Sequence, residues 1–154
     1  MFTNNPLSQR SKEKDQTKPR DTKSLSGCHI LMCEDHPINA RIVRMLLEQQ
    51  GCIVEWAANG QVGLEMFERS RPETYDAILM DIGMPVLDGL AATACIRRLT
   101  RKDAKTVPVI ALTANSYQAD VQLSLCSGMN AHLSKPVNPK MLYQTLVEQI
   151  NMNE

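Results

Sequence analysis

The chain lacks any hydrophobic run long enough to cross a membrane. Its apolar runs are of strand length, whereas a membrane-spanning helix needs about 20 apolar residues, and no secretory signal is visible. It also lacks an excess of either charge, because 17 Lys and Arg residues stand against 17 Asp and Glu residues. Nonspecific nucleic-acid binding requires a basic field. We therefore expect a cytoplasmic domain that contacts neither a membrane nor nucleic acid directly.

The cysteines lack the spacing of a metal site or of a disulfide framework. They are Cys28, Cys33, Cys52, Cys95 and Cys126, with no Cys-x-x-Cys pair and no histidine cluster. Most lie in apolar runs, which favours buried, reduced thiols. The Gly-x-Gly-x-x-Gly fingerprint of dinucleotide-binding domains is also missing after the first apolar run.

The length and composition predict one folded domain and a tail. With 154 residues there is no room for a second substrate-binding domain. Residues 1–26 carry six basic and three acidic residues but few large apolar ones, so we interpret them as a flexible linker or tail. A basic arm that grips a partner is the alternative. Residues 27–152 contain the folded domain.

Strand-like and helix-like periods alternate from residue 28 onward. The apolar runs predict strands at about 28–34, 53–54, 77–81, 107–113 and 131–134, and the helical periods predict helices at about 38–50, 60–70, 88–100, 116–126 and 139–150. Pro37 suits a first helical turn and Asp88 a helix N-cap. Because right-handed crossovers leave few other arrangements, the alternation predicts a doubly wound α/β fold, with a five-stranded parallel sheet between two layers of helices.

Polar or charged residues end four of the predicted strands. Glu34 and Asp35 end the first strand, Asp81 the third, Thr113 the fourth and Lys135 the fifth. The carboxyl ends of parallel strands meet at the edge where open α/β sheets bind ligands. Asp81 alone would be a loop cap more often than a site residue. Together with the other polar and charged residues at this edge, Asp81 becomes a candidate functional carboxylate.

The residue types at this edge favour a hard cation and a phosphoryl group. Three carboxylates repel one another unless a cation compensates, and only oxygen donors are on offer, including the backbone carbonyl of Gly83. Mg²⁺ therefore fits better than zinc. An acidic edge offset by Lys135 is the alternative. Lys135 and the Thr113 hydroxyl supply what a phosphoryl group needs, which makes Asp81 a candidate carboxylate nucleophile.

Four sequence blocks resemble the defining blocks of response-regulator receiver domains of two-component systems. They are Glu34-Asp35, Met80 to Gly89, Ala111 to Ala114 and Ser134 to Pro136, and they occur in order and at family spacing. The stretches 34–39 and 128–136 are particularly similar to the receivers of hybrid sensor histidine kinases. One block alone is weak evidence, but four in register over about residues 28–150 identify the chain as a member of this family.

The resemblance implies a flavodoxin-like, CheY-like fold with strand order 2-1-3-4-5 and a cis bond before Pro136. It makes Asp81 the phosphoacceptor of a phosphorelay. Asp35 and Asp81 become direct Mg²⁺ ligands together with the Gly83 carbonyl, and Glu34 a ligand through water.

Three further positions acquire roles from the resemblance. Lys135 holds the acyl phosphate, Thr113 moves toward it as the switch hydroxyl, and Ala114 keeps the small residue that the family favours beside the phosphate. His132 stands where receivers commonly carry Tyr or Phe. A His fills less space and changes charge near neutral pH. An altered switch and an exposed His with no switching role both remain open.

The first helix carries an apolar stripe of Ile38, Ile42 and Met45. The resemblance suggests that Ile38 and Met45 dock against the helical bundle of a histidine kinase or histidine phosphotransfer domain, whereas we assign Ile42 to the core. We expect a monomer or a weak, phosphorylation-dependent dimer. A single-domain regulator is one alternative for the whole protein, but we expect the domain to be part of a hybrid sensor histidine kinase, on the cytoplasmic side of the membrane.

Two other functions compete with this interpretation. Phosphatases of the haloacid dehalogenase type share the Asp nucleophile, Mg²⁺, hydroxyl and Lys, but they place an acid two residues after the nucleophile, where this chain has Gly83. A receiver-like binding module that is not phosphorylated usually lacks the acidic pair, the Asp or the Lys, and all of these are present. We therefore expect a domain that promotes its own phosphorylation and dephosphorylation without being a turnover enzyme.

Overall fold

A parallel β-sheet forms the centre of the molecule. The computed structural model describes residues 24–114, 125 and 127–153. In this part of the chain the strands are β1 (His29–Cys33), β2 (Ile53–Ala57), β3 (Ala77–Asp81), β4 (Val109–Thr113) and β5 (Ala131–Ser134). All neighbouring strands are parallel, and their order is β2-β1-β3-β4-β5. The predicted fold class and strand order are confirmed.

Helices connect the strands. Those of the described chain are α1 (Pro37–Gln49), α2 (Gly60–Arg69), α3 (Gly89–Arg98), α4 (Asp103–Thr106) and α5 (Pro139–Met152). The short helix α4 was not predicted, because four residues are too few to show a helical period. The helix predicted for residues 116–126 lies, except for residue 125, outside the described residues, as do residues 1–23 of the predicted tail.

Short polar side chains cap three of the helices that follow strands. Asn59, Asp88 and Asn138 each accept a hydrogen bond from a backbone N–H in the first turn of α2, α3 and α5, respectively. Pro37 opens α1, as predicted, and Gly51 follows the end of that helix with a φ of +87°. These caps keep the loops at the carboxyl ends of the strands short and well defined.

The sheet separates two hydrophobic cores. Ile30 and Met32 of β1 face a core shared with α1 and α5, whereas Leu31 and Cys33 face a core shared with α2 and α3. Every residue of β3 and β4 is buried, as expected for central strands of a parallel sheet. Leu25 is also buried and packs into the first core.

Three of the cysteines are buried thiols, as expected. Cys28, Cys33 and Cys52 lie inside the domain, and burial raises the pKa of both Cys33 and Cys52 to about 12. These two thiols therefore stay protonated and unreactive at neutral pH. Cys126 lies outside the described residues. Among the helices that the structure describes, none has the length and apolar character to span a membrane.

Candidate functional site

The carboxyl ends of the strands bring the predicted site residues together. Asp81 is the last residue of β3 and Thr113 the last of β4, and both are nearly fully buried. Glu34 and Asp35 directly follow β1, and Lys135 directly follows β5. An open cleft of about 350 Å³ lies here and is lined by Asp35, His36, Asp81, Ile82, Gly83, Thr113, Ala114 and Lys135.

Three carboxylates converge in this cleft. One oxygen each of Glu34, Asp35 and Asp81 lies within 4.8 Å of the others. Burial raises the pKa of Glu34; the hydrogen bond from the His36 N–H opposes this shift, and the charge of Asp81 adds to it. Carboxylate oxygens are the protein ligands that Mg²⁺ prefers. The donor set therefore fits a hard divalent cation.

Lys135 lies between two of these carboxylates. Its Nζ donates a hydrogen bond to Asp81 Oδ2 over 2.8 Å and is 3.2 Å from Glu34 Oε1. Burial by itself lowers the pKa of Lys135, but Asp81 and Glu34 outweigh this effect, so its pKa is raised and the ammonium is retained. One ammonium only partly offsets three carboxylates. The offset by Lys135 alone is therefore incomplete, and the cleft keeps an excess of negative charge.

Backbone groups hold the two catalytic candidates Asp81 and Lys135 in place. The Gly83 N–H donates to Asp81 Oδ1 over 3.1 Å, so both oxygens of this carboxylate have a donor. The Lys135 N–H donates to the Thr113 carbonyl over 2.8 Å. The bond between Lys135 and Pro136 is cis, as the resemblance implied.

The loop after Asp81 is packed too tightly for side chains at two positions. A Cβ on Gly89 would lie 2.2 Å from the Asp81 carbonyl oxygen, and a Cβ on Gly60 would lie 2.1 Å from the Leu87 carbonyl oxygen. Real Cβ atoms do not approach backbone this closely. The glycines at the starts of α2 and α3 therefore allow the loop to lie against both helices. The role of Gly60 was not predicted from the sequence.

Val86 is the strained residue of the same loop. It has a φ of +70° and is 80% exposed. The Leu87 N–H donates to the Pro85 carbonyl over 2.8 Å, which closes a γ-turn around Val86. A β-branched residue in this conformation is a genuine outlier. Sequence reasoning missed it because valine favours extended structure.

The apolar stripe on α1 is exposed at all three of its residues. Ile38, Ile42 and Met45 are 72%, 51% and 53% exposed. The assignment of Ile42 to the core was wrong, because the buried stripe of α1 consists of Ala40, Val43 and Leu47.

His132 lies exposed on β5, beside Ala111 of β4. This position fits either of the two interpretations left open above. Its role in a switch stays a prediction.

The fold and the site together define a class of protein. It is a doubly wound parallel α/β domain. At the carboxyl ends of its strands it has a cleft with three carboxylates that fit a hard cation, together with a lysine and a hydroxyl. The sequence profile of the response regulator receiver domain matches residues 30–147. The chain belongs to this family, which confirms the resemblance seen in the four sequence blocks.

Individual relatives agree with this assignment. The chain is 37% identical over 123 residues to hybrid signal transduction histidine kinase I of Dictyostelium discoideum, covering 79% of this chain but only 7% of that kinase. The receiver domain of sensor histidine kinase PA1611 from Pseudomonas aeruginosa, solved with magnesium coordinated in its active-site cleft, is 40% identical with a TM-score of 0.73, covering 82% of this chain and 99% of that domain.

A third relative was solved together with a partner. The receiver domain of the response regulator Ssk1 from Saccharomyces cerevisiae, in complex with the histidine phosphotransfer protein Ypd1, is 30% identical with a TM-score of 0.73. The match covers 82% of this chain and 91% of that one.

Proposed function

We propose that this receiver domain accepts a phosphoryl group from a phosphohistidine onto Asp81, with Mg²⁺ bound in the acidic cleft. The observation that carries the proposal is the environment of the Asp81 carboxylate. It lies at the end of the central strand β3, within 4.8 Å of two further carboxylates and 2.8 Å from the Lys135 ammonium. This combination suits a carboxylate nucleophile whose reaction depends on charge neutralisation.

The roles proposed for the acidic residues follow from this environment. Asp35 and Asp81 would bind the cation directly together with the Gly83 carbonyl, and Glu34 would hold it through water. The cation would supply charge neutralisation for the transferring phosphoryl group. Glu34 is nearly fully buried and lies beside Lys135. We therefore assign it a contact with the cation through water rather than a contact with the substrate.

The transfer step is a displacement at phosphorus. An oxygen of Asp81 forms the new bond to phosphorus while the bond between phosphorus and the donor imidazole breaks, and the imidazole leaves with the electron pair. Lys135 then pairs with a phosphoryl oxygen. The Thr113 hydroxyl and the backbone at Ala114 and Gly83 complete the cradle. Movement of Thr113 toward the phosphate starts the conformational switch.

Gly83 argues against the phosphatase alternative. A Cβ at this position would have open space around it, and no side chain is present there to protonate a leaving alcohol. A phosphohistidine donor has a better leaving group and needs no such acid. The domain therefore promotes its own phosphorylation and dephosphorylation without being a turnover enzyme.

The wider context is also a proposal. We propose that residues 27–152 are the receiver domain of a hybrid sensor histidine kinase and lie on the cytoplasmic side of the membrane. The Dictyostelium kinase that contains a similar segment supports this. The phosphodonor is a histidine kinase or histidine phosphotransfer domain that docks on Ile38 and Met45, with Ile42 between them. The Ssk1 receiver, which was solved bound to Ypd1, supports this kind of partner.

Phosphorylation by a small donor tests the central claim. Wild-type protein incubated with Mg²⁺ and phosphoramidate should gain one phosphoryl group by intact-mass analysis, whereas Asp81→Asn should gain none. Beryllofluoride should likewise perturb only the wild type. Equal modification of both proteins would contradict the assignment of Asp81. Hydrolysis of phosphate monoesters with many turnovers would favour the phosphatase instead.

A further inference from the structure

A groove of mixed apolar and basic character lies beside the acidic cleft. It separates the N-terminal half of α1 from the edge strand β2 and has a volume of about 370 Å³. Ile38, Arg41 and Arg44 of α1 line one side and Trp56 of β2 lines the other, with the buried Met32 beneath them. The groove shares Ile38 with the proposed docking stripe.

Trp56 connects the groove to the acidic cleft. Its indole N–H donates a hydrogen bond of 2.7 Å to the backbone carbonyl of Glu34, which fixes the position of the ring. Trp56 nevertheless remains 37% exposed, and Ile38, which lines the same groove, is 72% exposed. Single exposed apolar residues are normal, but two large ones that share a groove indicate a contact surface.

The two arginines differ in how they are paired. Arg44 donates to the Val54 carbonyl over 2.8 Å and lies 3.5 Å from a carboxylate oxygen of Glu48. Arg41 is exposed and pairs with no carboxylate in the part of the chain that the structure describes. The groove therefore offers an apolar slot with an unneutralised guanidinium at its rim. A carboxylate next to an apolar side chain complements this arrangement.

We propose that this groove binds an apolar side chain flanked by carboxylates on the helical domain that delivers phosphohistidine to Asp81. The inference rests on the proposed function. The occupant follows from position: a donor that brings its histidine to Asp81 must cover the rim of the cleft, where His36 lies, and the groove begins at the next residues along the chain, Pro37 and Ile38. A helix with its side chains is about 10–12 Å across, so one that covers Ile38 also reaches Trp56.

The groove determines the rate of transfer from a protein donor but not the chemistry at Asp81. Trp and Arg are the residue types that most often carry the binding energy of an interface. Because Trp56 and Arg41 do not line the cleft, a small donor does not need them. This difference separates failure of the groove from failure of the site.

The test compares two donors on four proteins. The donors are phosphoramidate and histidine-phosphorylated Ypd1. The proteins are wild type, Trp56→Ala, Arg41→Glu and the control Ile53→Ala, which removes a 55% exposed side chain from the same strand outside the groove. With limiting Ypd1, transfer should be about tenfold slower for the two groove variants and unchanged for Ile53→Ala. Phosphoramidate should modify all four at similar rates.

Fluorine NMR of protein labelled with 5-fluorotryptophan gives a second readout. The chain has one tryptophan, so the single resonance reports on the groove. It should shift when unlabelled Ypd1 is added. A shift that depends only on the concentration of the labelled protein would instead assign the groove to a second copy of this chain and overturn the proposal.

The kinetic outcomes also distinguish failure of the groove proposal from failure of the proposed function. Equal transfer from Ypd1 to wild type and groove variants would overturn the inference. Failure of Ypd1 on a wild type that phosphoramidate modifies would overturn the choice of occupant. Failure of phosphoramidate on the wild type would instead contradict the proposed function. Arg41 is exposed on the helix surface, so Arg41→Glu provides a folded variant even if Trp56→Ala unfolds.

Discussion

Two charged clusters in this domain are built on opposite principles. In the cleft, three carboxylates share one ammonium. Near α4, Arg101 and Asp103 form a one-to-one pair, in which the guanidinium donates to both oxygens of the carboxylate over 2.7 and 2.9 Å. The pair near α4 is balanced and the cleft is not.

The remaining bonds of the pair near α4 hold backbone in place. Arg101 also donates to the carbonyls of Phe67, Ser70 and Arg71 at the end of α2, and it lies 4.5 Å from the centre of the Phe67 ring. Asp103 accepts from the Glu73 N–H over 2.7 Å. We call Arg101 and Asp103, with these partners, the clamp. In this domain the paired cluster holds backbone in place, whereas the cleft with its excess of carboxylates is the proposed ligand site.

Removing the guanidinium of the clamp should give the largest change in stability. Arg101→Ala leaves Asp103 without its counter-charge and the end of α2 without its donors, so the free energy of unfolding should fall by about 3 kcal/mol. Urea denaturation measures this. Arg98→Ala, which truncates an exposed arginine, should change it by less than about 0.5 kcal/mol. A clamp variant as stable as the control would show that the clamp is dispensable.

Removing one charge from the cleft should act mainly on cation binding. Glu34→Gln keeps the shape of the side chain, so the affinity for Mg²⁺ should fall by at least about tenfold, as for other residues that support a metal site. Isothermal titration with Mg²⁺ measures the affinity. The exposed Glu68→Gln should bind Mg²⁺ like the wild type. Unchanged affinity in Glu34→Gln would remove Glu34 from the proposed ligand set.

The two clusters should also respond to pH with opposite signs. Without Mg²⁺, burial raises the pKa of Glu34 above its ordinary 4.5, so Glu34 stabilises the folded state at low pH, and this contribution is lost as the pH rises through the folded value. The hydrogen bond from Arg101 lowers the pKa of Asp103 below its ordinary 3.8. Asp103 therefore contributes stability above pH 3.8 that is lost as the pH falls through the lower folded value.

Unfolding at several pH values separates these contributions. As the pH rises above 4.5, the free energy of unfolding of the wild type should fall relative to that of Glu34→Gln. The difference between wild type and Asp103→Asn should shrink below pH 3.8. Parallel curves for the two variants would contradict the contrast between the clusters.

The same contrast explains which features could be predicted from the sequence. Asp81, Thr113 and Lys135 were predictable because each lies at the carboxyl end of a strand-like run in the sequence, and parallel strands bring their ends to one edge. The clamp was not, because the carbonyls that Arg101 binds lie at least 30 positions before it and carry no side-chain pattern.

Surface features beside the site could not be fully predicted from the sequence either. The stripe on α1 was visible, but which of its residues face the core depends on how far the helix is rotated against the sheet. Ile42 was misassigned for this reason. The strand that carries Trp56 was predicted to span only about residues 53–54, so the groove between that residue and α1 had no basis in the pattern.

The smallest expected effect concerns the backbone strain that the described residues show at one position in each region. Glu73 beside the clamp has a φ of +67° and Val86 beside the cleft a φ of +70°. The Glu73 N–H is bound by Asp103, whereas Val86 is enclosed by a γ-turn and is β-branched, which makes its conformation more costly. Glycine has no Cβ and adopts positive φ without this steric cost. Val86→Gly should therefore stabilise the domain by about 1 kcal/mol in urea denaturation, and Glu73→Gly by less. If Val86→Gly gained no more than Glu73→Gly, the strain beside the cleft would be no greater than the strain beside the clamp.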